Sequence, residues 1–322
     1  MNNVPPKVLV VTPVFNEEEN LPDYAETVGR VLLDAPGLDV RVLLVDDGSS
    51  DSSWQVIEQL AAQDDRIRGL RLSRNFGSHV ALSAGFAHAD PDCDAVATLA
   101  CDLQDPPEVV LEFVERWRDG ADIVWGERRT RQDSAWKVWT SRVFNRALER
   151  HAMPRGSLFT TGSFLLVDRA VLECFNQFRE HNRITFALVA WTGFDQVRVP
   201  YDRAARTKGA SGWTFAKMMK AMYDAFIGLS TLPLRVMKVA AVGAFLVSLL
   251  LALYVLGVVS LQGSQVPGWA SQVILVSVFF GVQFSLMAIV GEYLHRIYIE
   301  SMRRPLYFVS RDTSAPPHPR RG

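Results

Sequence analysis

The most constraining feature of this sequence is a long stretch without an ionisable side chain. Between Lys238 and Glu292 the chain contains no Asp, Glu, Lys, Arg or His. Two apolar runs lie inside it, at about 239–261 and 269–290. Each has the roughly 20 residues that a helix needs to cross a bilayer. Two buried helices of a soluble core are the alternative, but such long helices normally carry a polar stripe, which neither run has. We therefore predict a two-helix transmembrane hairpin.

Charged residues on either side of the hairpin predict its orientation. Arg235 and Lys238 precede the first run, and Arg296 and Arg304 follow the second. Positively charged flanks tend to stay in the cytoplasm. We therefore expect a multi-pass protein of the cell (inner) membrane, with both termini and the preceding domain cytoplasmic. The short, turn-rich connector at 262–268 would face the other side.

The composition also predicts how the chain divides into domains. Residues 1–210 form a cytoplasmic α/β domain, and 236–293 contain the hairpin. Between them, at 211–235, aromatic and Met side chains recur at near-helical spacing among lysines, which predicts interfacial helices lying on anionic lipid. A soluble core helix is the alternative there. Residues 294–322 form a cytoplasmic basic tail, which we expect to be disordered from Arg311 because it is rich in Pro and Arg.

Short apolar runs alternate with amphipathic stretches from residue 7 to about 200. Strands are predicted at 7–15, 40–46, 67–72, 94–101 and 122–126. Helices are predicted at 18–33, 51–63, 78–89 and 107–118. This alternation is typical of a mostly parallel, Rossmann-type sheet with helices on both faces.

Several function classes are disfavoured. The 34 basic and 35 acidic side chains leave a net charge of −1, so no global charge points to nucleic acid. No GxGxxG follows the first strand and no Walker A motif occurs, which disfavours dinucleotide redox chemistry and P-loop hydrolysis. Three widely spaced cysteines fit reduced thiols better than a zinc site or a disulfide framework.

Acidic residues follow three of the predicted strands. Glu17 comes after the first, Asp46 and Asp47 end the second, and Asp102 and Asp105 follow the fourth. Ligands of such sheets gather at the carboxyl ends of the strands. Carboxylates there would repel one another unless a divalent cation or the donors of a ligand offset the repulsion. Each segment alone could be a turn or a helix cap.

Taken together, the motifs are more specific than any one of them. They are TPVFNE at 12–17, VDDGS at 45–49, RNFG at 74–77, DLQDPPE at 102–108, GER at 126–128, RAARTKGAS at 203–211, STLPLR at 230–235, GEY at 291–293 and RPLY at 304–307. The chain thereby resembles the inverting family 2 glycosyltransferases, and within them the polyprenyl-phosphate (bactoprenol or dolichol-phosphate) type. The resemblance covers nearly the whole chain.

This resemblance implies a GT-A-like domain and a membrane-bound inverting enzyme. Its reaction would move a hexose-type sugar from a UDP- or GDP-linked donor to polyprenyl (undecaprenyl) phosphate. The nucleotide sugar would be bound by Pro13, Asn16, Glu17, Asp46, Asp47, Gly77, Asp102 and Gln104. Asp102 and Gln104 would also hold Mg²⁺ or Mn²⁺ on the donor diphosphate. Donor or acceptor phosphates would be contacted by Arg128, Arg142, Arg203, Arg206, Lys208 and Ser211. The catalytic roles would fall to Asp102, Arg128 and Arg206.

Three positions depart from the family pattern. Ala100 stands where the family often has Asp, Ser163 replaces the Asp of a Gly-Asp-Phe stretch, and Gly212 replaces the Lys of a Ser-Lys pair. Each removes a charge from the expected site. A lipid phosphate is already anionic near pH 7 and needs no general base, which accommodates the change at Ser163.

The implied partners are the nucleoside-diphosphate sugar, polyprenyl phosphate and the lipid bilayer. A downstream flippase and a lumenal or periplasmic glycosyltransferase would use the product. Small residues in the apolar runs, such as Gly243 and Gly281, would permit a homo-oligomer. Two other functions stay open from the residues: a non-catalytic membrane scaffold that binds nucleotide sugar, and a transferase acting on a different lipid or polysaccharide.

Overall fold

The computed structural model describes residues 5–129, 164–181, 183–204 and 268–314, with scattered positions between 237 and 261. The chain divides into two compact units. One contains Met1–Met218 and Pro305–Gly322, and the other contains Met219–Arg304. The segment Pro305–Gly322, which follows the apolar stretch in sequence, therefore belongs to the same unit as the N-terminal part of the chain.

The described part of the first unit contains eight strands. They are β1 (Lys7–Val14), β2 (Asp39–Asp46), β3 (Ile67–Leu72), β4 (Ala95–Thr98), β5 (Ile123–Arg128), β6 (Leu165–Asp168), β7 (Gln196–Tyr201) and β8 (Val309–Asp312). They form one sheet in the order β7-β5-β6-β4-β1-β2-β3-β8. Strands β4, β1, β2 and β3 are parallel neighbours, as are β5 and β7, while β6 and β8 run antiparallel to their neighbours.

Helices connect these strands. They are α1 (Leu21–Val28, continued by a π-helical turn at Gly29–Leu33), α2 (Ser53–Gln63), α3 (Ser78–Ala87), α4 (Glu108–Arg118), α5 (Arg169–Phe175) and α6 (Thr185–Trp191). Helix α4 begins at Glu108, one residue later than predicted, and Pro107 is its N-cap, where the missing N–H group of proline is not needed. Its apolar side has Val110 and Phe113 buried, while its first residue, Glu108, is exposed.

The core explains why the central strands were readable from the sequence. In β1, Val8, Val10 and Val11 are at most 1% exposed, because helices cover both faces of a central parallel strand. Strand β2 is apolar from Val42 to Val45, whereas β3 alternates apolar residues with Arg68 and Arg71. The prediction of a mostly parallel α/β sheet is confirmed for this central part.

The structure also corrects several expectations. Strand β4 is limited to Ala95–Thr98, and β5 extends to Arg128. We expect disorder from Arg311, but Arg311 and Asp312 lie in β8, and the described residues continue to Ser314. The expectation of disorder is wrong for these residues because the segment pairs with β3 at the sheet edge.

The second unit contains helix α7 (Trp269–Ser301). This helix spans the second predicted apolar run and continues beyond it. Large apolar side chains along it are exposed, including Phe280, Phe284 and Met287. In the described part of the chain, no helix is both long enough and apolar enough to cross a bilayer. The first apolar run is described only at scattered positions, and 211–235 lie outside the described residues, so the structure does not show the predicted hairpin or the interfacial helices.

Candidate active site

The loops after β1 and β2 are hydrogen-bonded side by side at the carboxyl edge of the sheet. The backbone N–H of Asn16 donates to Ser49 Oγ at 3.0 Å, and the N–H of Ser50 donates to Asn16 Oδ1 at 2.9 Å. The N–H of Glu17 donates to Ser53 Oγ at 2.9 Å. These bonds place Asn16 and Glu17 beside the turn that follows β2, as the parallel register of the two strands predicts. Pro13, the last residue but one of β1, is half-buried and pairs with Val45 of β2.

Asp46 stabilises the turn after β2. Its side chain is fully buried, and Oδ1 accepts the N–H of Ser49 at 2.9 Å. Oδ2 lies 3.0 Å from Arg71 Nε as an ion pair, without an aligned hydrogen bond. Arg71 also donates to the carbonyl of Ser49 at 2.9 Å. Asp46 and Arg71 together hold the backbone that carries Ser49.

Asp47 holds the loop that follows β3. Its two oxygens accept the N–H groups of Phe76 at 2.7 Å and Gly77 at 2.8 Å. Burial raises the pKa of Asp47, and these two hydrogen bonds partly oppose that rise. Gly48 lets the loops meet, because a Cβ there would lie 2.5 Å from the carbonyl carbon of Arg74.

The loop after β4 carries Asp102 and Gln104, both half-buried. The N–H of Gln104 donates to Asp102 Oδ1 at 3.2 Å, and its carbonyl accepts the N–H of Ala204 at 2.9 Å. Burial raises the pKa of Cys101 well above its usual value, and the nearby carboxylates of Glu17 and Asp102 raise it further. Glu17 and Asp102 follow two different strands, and both lie near enough to the Cys101 thiol to affect its pKa.

Asp105 is the buried centre of a polar cluster. Its side chain is 1% exposed, and Oδ1 accepts the hydroxyl of Tyr201 at 2.5 Å. The same oxygen lies 3.4 Å from Arg203 Nε and 3.9 Å from Arg128 Nη2. Arg128 Nε donates to the Tyr201 hydroxyl at 3.3 Å. We call Asp105, Tyr201, Arg128 and Arg203 the Asp105 cluster.

The family resemblance implies phosphate contacts for Arg128 and Arg203 but gives no role to Asp105 or Tyr201. Asp105 lies within the DLQDPPE motif, which was the available signal. Tyr201 ends β7, a strand that was not predicted, so no signal pointed to it. Burial raises the pKa of Tyr201 to about 12, and the charge of Asp105 contributes to the rise. The hydroxyl therefore remains a donor at neutral pH.

The structure brings together only part of the predicted site. The carboxyl ends of β1, β2 and β4 and the Asp105 cluster lie along one edge of the sheet. Gly77 precedes α3 and is held there by Asp47. Other predicted site residues lie outside the described part of the chain: Arg142, Ser163, Arg206, Lys208, Ser211 and Gly212.

The donor set at the edge fits a divalent cation of the Mg²⁺ or Mn²⁺ type. Such ions commonly take one or two carboxylates from the protein and complete their shell with substrate phosphates and water. Asp102 and Gln104 offer oxygen ligands of this kind on one loop. Ala100, partly exposed at the start of that loop, offers none. Within the described residues, no three His, Cys, Asp or Glu side chains form a metal-binding group, so phosphate oxygens would have to contribute.

The fold and the edge of the sheet together define an α/β protein whose site combines oxygen ligands for a cation with arginines suited to phosphate. Comparison with known proteins identifies the family. The family model described as glycosyl transferase family 2 matches residues 9–175. The uncharacterized glycosyltransferase sll0501 of Synechocystis sp. is 35% identical over 305 residues, which cover 94% of each chain. The uncharacterized glycosyltransferase YkcC of Bacillus subtilis is 32% identical over 309 residues, covering 94% of this chain and 93% of that one.

The chain therefore belongs to glycosyltransferase family 2, and the protein is a glycosyltransferase that uses a nucleotide-sugar donor. Among solved structures, it is similar to the mannosyltransferase PcManGT from Pyrobaculum calidifontis in complex with GDP-Man and Mn²⁺. The TM-score is 0.46 at 15% identity, covering 90% of this chain and 87% of that one. Glucosyl-3-phosphoglycerate synthase from Mycobacterium tuberculosis gives a TM-score of 0.45 at 19% identity, covering 67% and 76% of the two chains.

Proposed function

We propose that this glycosyltransferase moves a hexose-type sugar from a UDP- or GDP-linked donor to polyprenyl phosphate, with inversion at the anomeric carbon. One observation carries the proposal: Arg128, at the end of β5, and Arg203, just after β7, both contact Asp105, which lies on the same loop as Asp102 and Gln104. A carboxylate that can share a cation with a diphosphate thus lies near two arginines that suit further phosphate oxygens.

The membrane part of the proposal is supported by the sequence. The stretch between Lys238 and Glu292 lacks ionisable side chains, and α7 exposes large apolar side chains such as Phe280 and Phe284. Exposed apolar surface of this extent is typical of a membrane or protein contact. An acceptor whose polyprenyl chain stays in the bilayer requires a catalytic domain that works at the membrane surface. We place the protein in the cell membrane, with the first unit in the cytoplasm.

The proposed chemistry needs few groups from the protein. The acceptor phosphate is already anionic near neutral pH, since its second pKa is about 6, so no general base has to remove a proton. The phosphate oxygen attacks the anomeric carbon as the bond to the nucleoside diphosphate breaks. Asp102 and Gln104 would hold Mg²⁺ or Mn²⁺, which when bound would offset charge on the leaving diphosphate.

The remaining work is orientation and charge compensation. Asn16 and Glu17 lie beside the turn after β2, where a nucleoside can be held against the loops that Asp46 and Asp47 fix. Arg128 either stabilises the negative charge that develops on the leaving nucleoside diphosphate or holds the anionic acceptor phosphate before it attacks. Holding both substrates in line supplies much of the rate enhancement in such a reaction.

A donor screen tests the proposal. The purified full-length chain in phosphatidylcholine nanodiscs is incubated with Mg²⁺, undecaprenyl phosphate and a panel of labelled UDP- and GDP-sugars. We expect chloroform-soluble label with one donor, dependent on both the cation and the lipid phosphate. Donor binding without any lipid product, across the whole panel, would contradict the proposed acceptor.

A further inference from the structure

The Asp105 cluster contains more positive than negative charge. One carboxylate faces two guanidinium groups, and all of these contacts are made by a single oxygen of Asp105. The carboxylate is buried, whereas the Arg128 and Arg203 side chains are each 31% exposed. The cluster thus presents the outer parts of two arginines to solvent and keeps their counter-charge inside.

The hydrogen bonds around Asp105 run in one direction. Arg128 Nε donates to the Tyr201 hydroxyl, which donates to Asp105. Arg203 follows Tyr201 by two residues, and the next residue, Ala204, donates its N–H to the carbonyl of Gln104. The ends of β5 and β7 are therefore both linked by hydrogen bonds to the loop after β4. Arg128 and Tyr201 connect them to Asp105, and Ala204 connects the chain after β7 to Gln104.

Within the described part of the chain, the contacts of each guanidinium use only some of its N–H groups. The contacts to Asp105 involve Nη2 of Arg128 and Nε of Arg203, and an arginine has five N–H donors in a fixed fork. A fork of this shape matches the oxygens of a phosphate group. Because an unrestrained arginine side chain has many rotamers, fixing it before the ligand arrives strengthens binding.

We propose that Asp105 and Tyr201 are positioning residues that hold Arg128 and Arg203 as a two-arginine cradle for a phosphate group. The inference rests on the proposed function, in which phosphate groups of the donor and the acceptor meet at this edge. The group bound is either the donor's diphosphate or the phosphate of the lipid acceptor. Both have the same chemistry, and direct binding separates them.

Positioning and simple charge balance predict opposite effects of removing the carboxylate. If Asp105 only neutralises the arginines, Asp105→Asn increases the local positive charge and phosphate binds as well or more tightly. If Asp105 positions them, the variant releases both side chains and phosphate binds more weakly. Tyr201→Phe removes the bridging hydroxyl but keeps the ring that packs against Phe164 at 5.3 Å, so it tests the same idea without changing a charge.

Asp90→Asn is the matched control. Asp90 also faces two arginines, Arg68 at 2.8 Å and Arg41 at 3.6 Å, but it lies at the opposite end of the strands. The full-length wild type and the three variants are titrated with UDP and GDP in Mg²⁺. They are also titrated with phosphatidylcholine nanodiscs that contain or lack undecaprenyl phosphate. Denaturation midpoints show which variants are folded.

We expect Asp105→Asn and Tyr201→Phe to weaken binding of the same phosphate ligand, each about tenfold, which corresponds to about 1.4 kcal/mol. Asp90→Asn should stay within about twofold of the wild type, since Asp90 lies at the opposite end of the strands from the Asp105 cluster. Weaker nucleotide binding assigns the cradle to the donor, and weaker nanodisc binding assigns it to the acceptor.

Folded variants that bind both ligands as the wild type does, or more tightly, overturn the inference, as does a wild type that binds neither probe. If Asp105→Asn does not fold, Tyr201→Phe decides alone. These titrations do not depend on turnover. Nucleotide binding that requires Tyr201, together with no transfer to undecaprenyl phosphate, would reject the proposed acceptor while keeping the cradle.

Discussion

At the scale of single residues, the carboxyl edge of the sheet uses its acidic side chains in two ways. Asp46 and Asp47 bind backbone N–H groups of the chain itself and fix two loops. Asp102 uses one oxygen within its own loop and is half-buried, which suits a role toward a ligand. Three acidic residues in related motifs thus serve different purposes.

Asp102→Asn is expected to reduce the single-turnover rate by about a hundredfold or more, the size typical of losing a group that stabilises transition-state charge. Ser163→Ala should change the rate less than about threefold, because an anionic acceptor needs no general base. Rapid-quench measurements of both variants with saturating substrates test this. An inactive Ser163→Ala beside a normal Asp102→Asn would refute the mechanism.

Gly48→Ala is expected to destabilise the protein more than Gly37→Ala. Both glycines have positive φ, 70° and 76°, so both substitutions introduce strain of about 1–2 kcal/mol. Only at Gly48 would the new Cβ collide with backbone, at 2.5 Å from Arg74, whereas Gly37 has open space. Chemical denaturation should show an additional loss of at least about 1 kcal/mol for Gly48→Ala. Equal losses would mean that the loops after β2 and β3 are not in contact.

His79 predicts a pH dependence of stability. Burial lowers its pKa from 6.5 to about 4, and its ring packs edge-on to Phe186 at 5.3 Å. Above pH 6.5 the ring is neutral in both the folded and unfolded states. As the pH falls from 6.5 towards 4, the unfolded chain binds the proton first, so stability is lost.

The loss attributable to His79 is at most about 3 kcal/mol, from 1.36 kcal/mol per pKa unit. The variant His79→Gln should lack this component. Denaturation midpoints of the wild type and the variant, compared between pH 7.5 and 4.5, should diverge as the pH falls. Parallel curves would show that the histidine is not protected from protonation.

The sequence predicted some of the site and missed the rest for physical reasons. Asp102, Arg128 and Arg203 belong to motifs, and their segments lie close together in the structure. The sequence did not reveal that Asp47 accepts backbone N–H groups, because a motif does not show which donors its side chains contact. Tyr201 was missed because its importance comes from a contact with Asp105, which is 96 residues away in the sequence.

At the scale of elements, the segment that follows α7 in sequence adds the edge strand β8 to the sheet. Strand β8 pairs antiparallel with β3, with Leu70 opposite Asp312. The N–H of Ser73 donates to the carbonyl of Phe308 at 2.8 Å, and Thr313 exchanges hydrogen bonds with Gly69. Strand β3 carries Arg71, which holds the turn after β2. By pairing with β3, strand β8 therefore stabilises the position of that turn indirectly.

Truncation tests the role of β8. A chain ending at Leu306 should lose about 2–4 kcal/mol of stability, since several backbone hydrogen bonds of about 1 kcal/mol each disappear. Its KM for the donor should rise, because β3 and Arg71 lose their support. The control chain ends at Ser314 and keeps all of β8. If both truncated chains have the wild-type denaturation midpoint, β8 does not stabilise the sheet.

The difference between predicted and missed strands follows from burial. Strands β1 and β2 contain long apolar runs because both faces are covered, β3 has buried apolar residues at Ile67, Leu70 and Leu72, and the sequence located all three strands closely. Strand β6 is only four residues long, and β8, with the sequence VSRD, is largely exposed. Short or exposed strands carry too little apolar pattern to be distinguished from loops. Their positions depend on partners distant in the sequence.

At the scale of the whole molecule, one chain combines a family 2 glycosyltransferase unit with an uncharged apolar stretch. The family accounts for the sheet and for the use of a nucleotide-sugar donor, and the apolar stretch is what we propose holds the enzyme at the membrane where a lipid-linked acceptor would lie. The proposal joins the two: an anionic phosphate on a polyprenyl chain serves as nucleophile at the edge of a cytoplasmic domain.

The most direct test compares two acceptors that differ only in the phosphate. The purified chain in nanodiscs receives the active nucleotide sugar, Mg²⁺ and either undecaprenyl phosphate or undecaprenol, and lipid-linked sugar is measured by mass spectrometry. The account predicts product with the phosphate and essentially none with the alcohol, because the phosphate is already anionic near neutral pH whereas the alcohol would first have to lose a proton. Equal transfer to undecaprenol, or to a water-soluble alcohol, would contradict it.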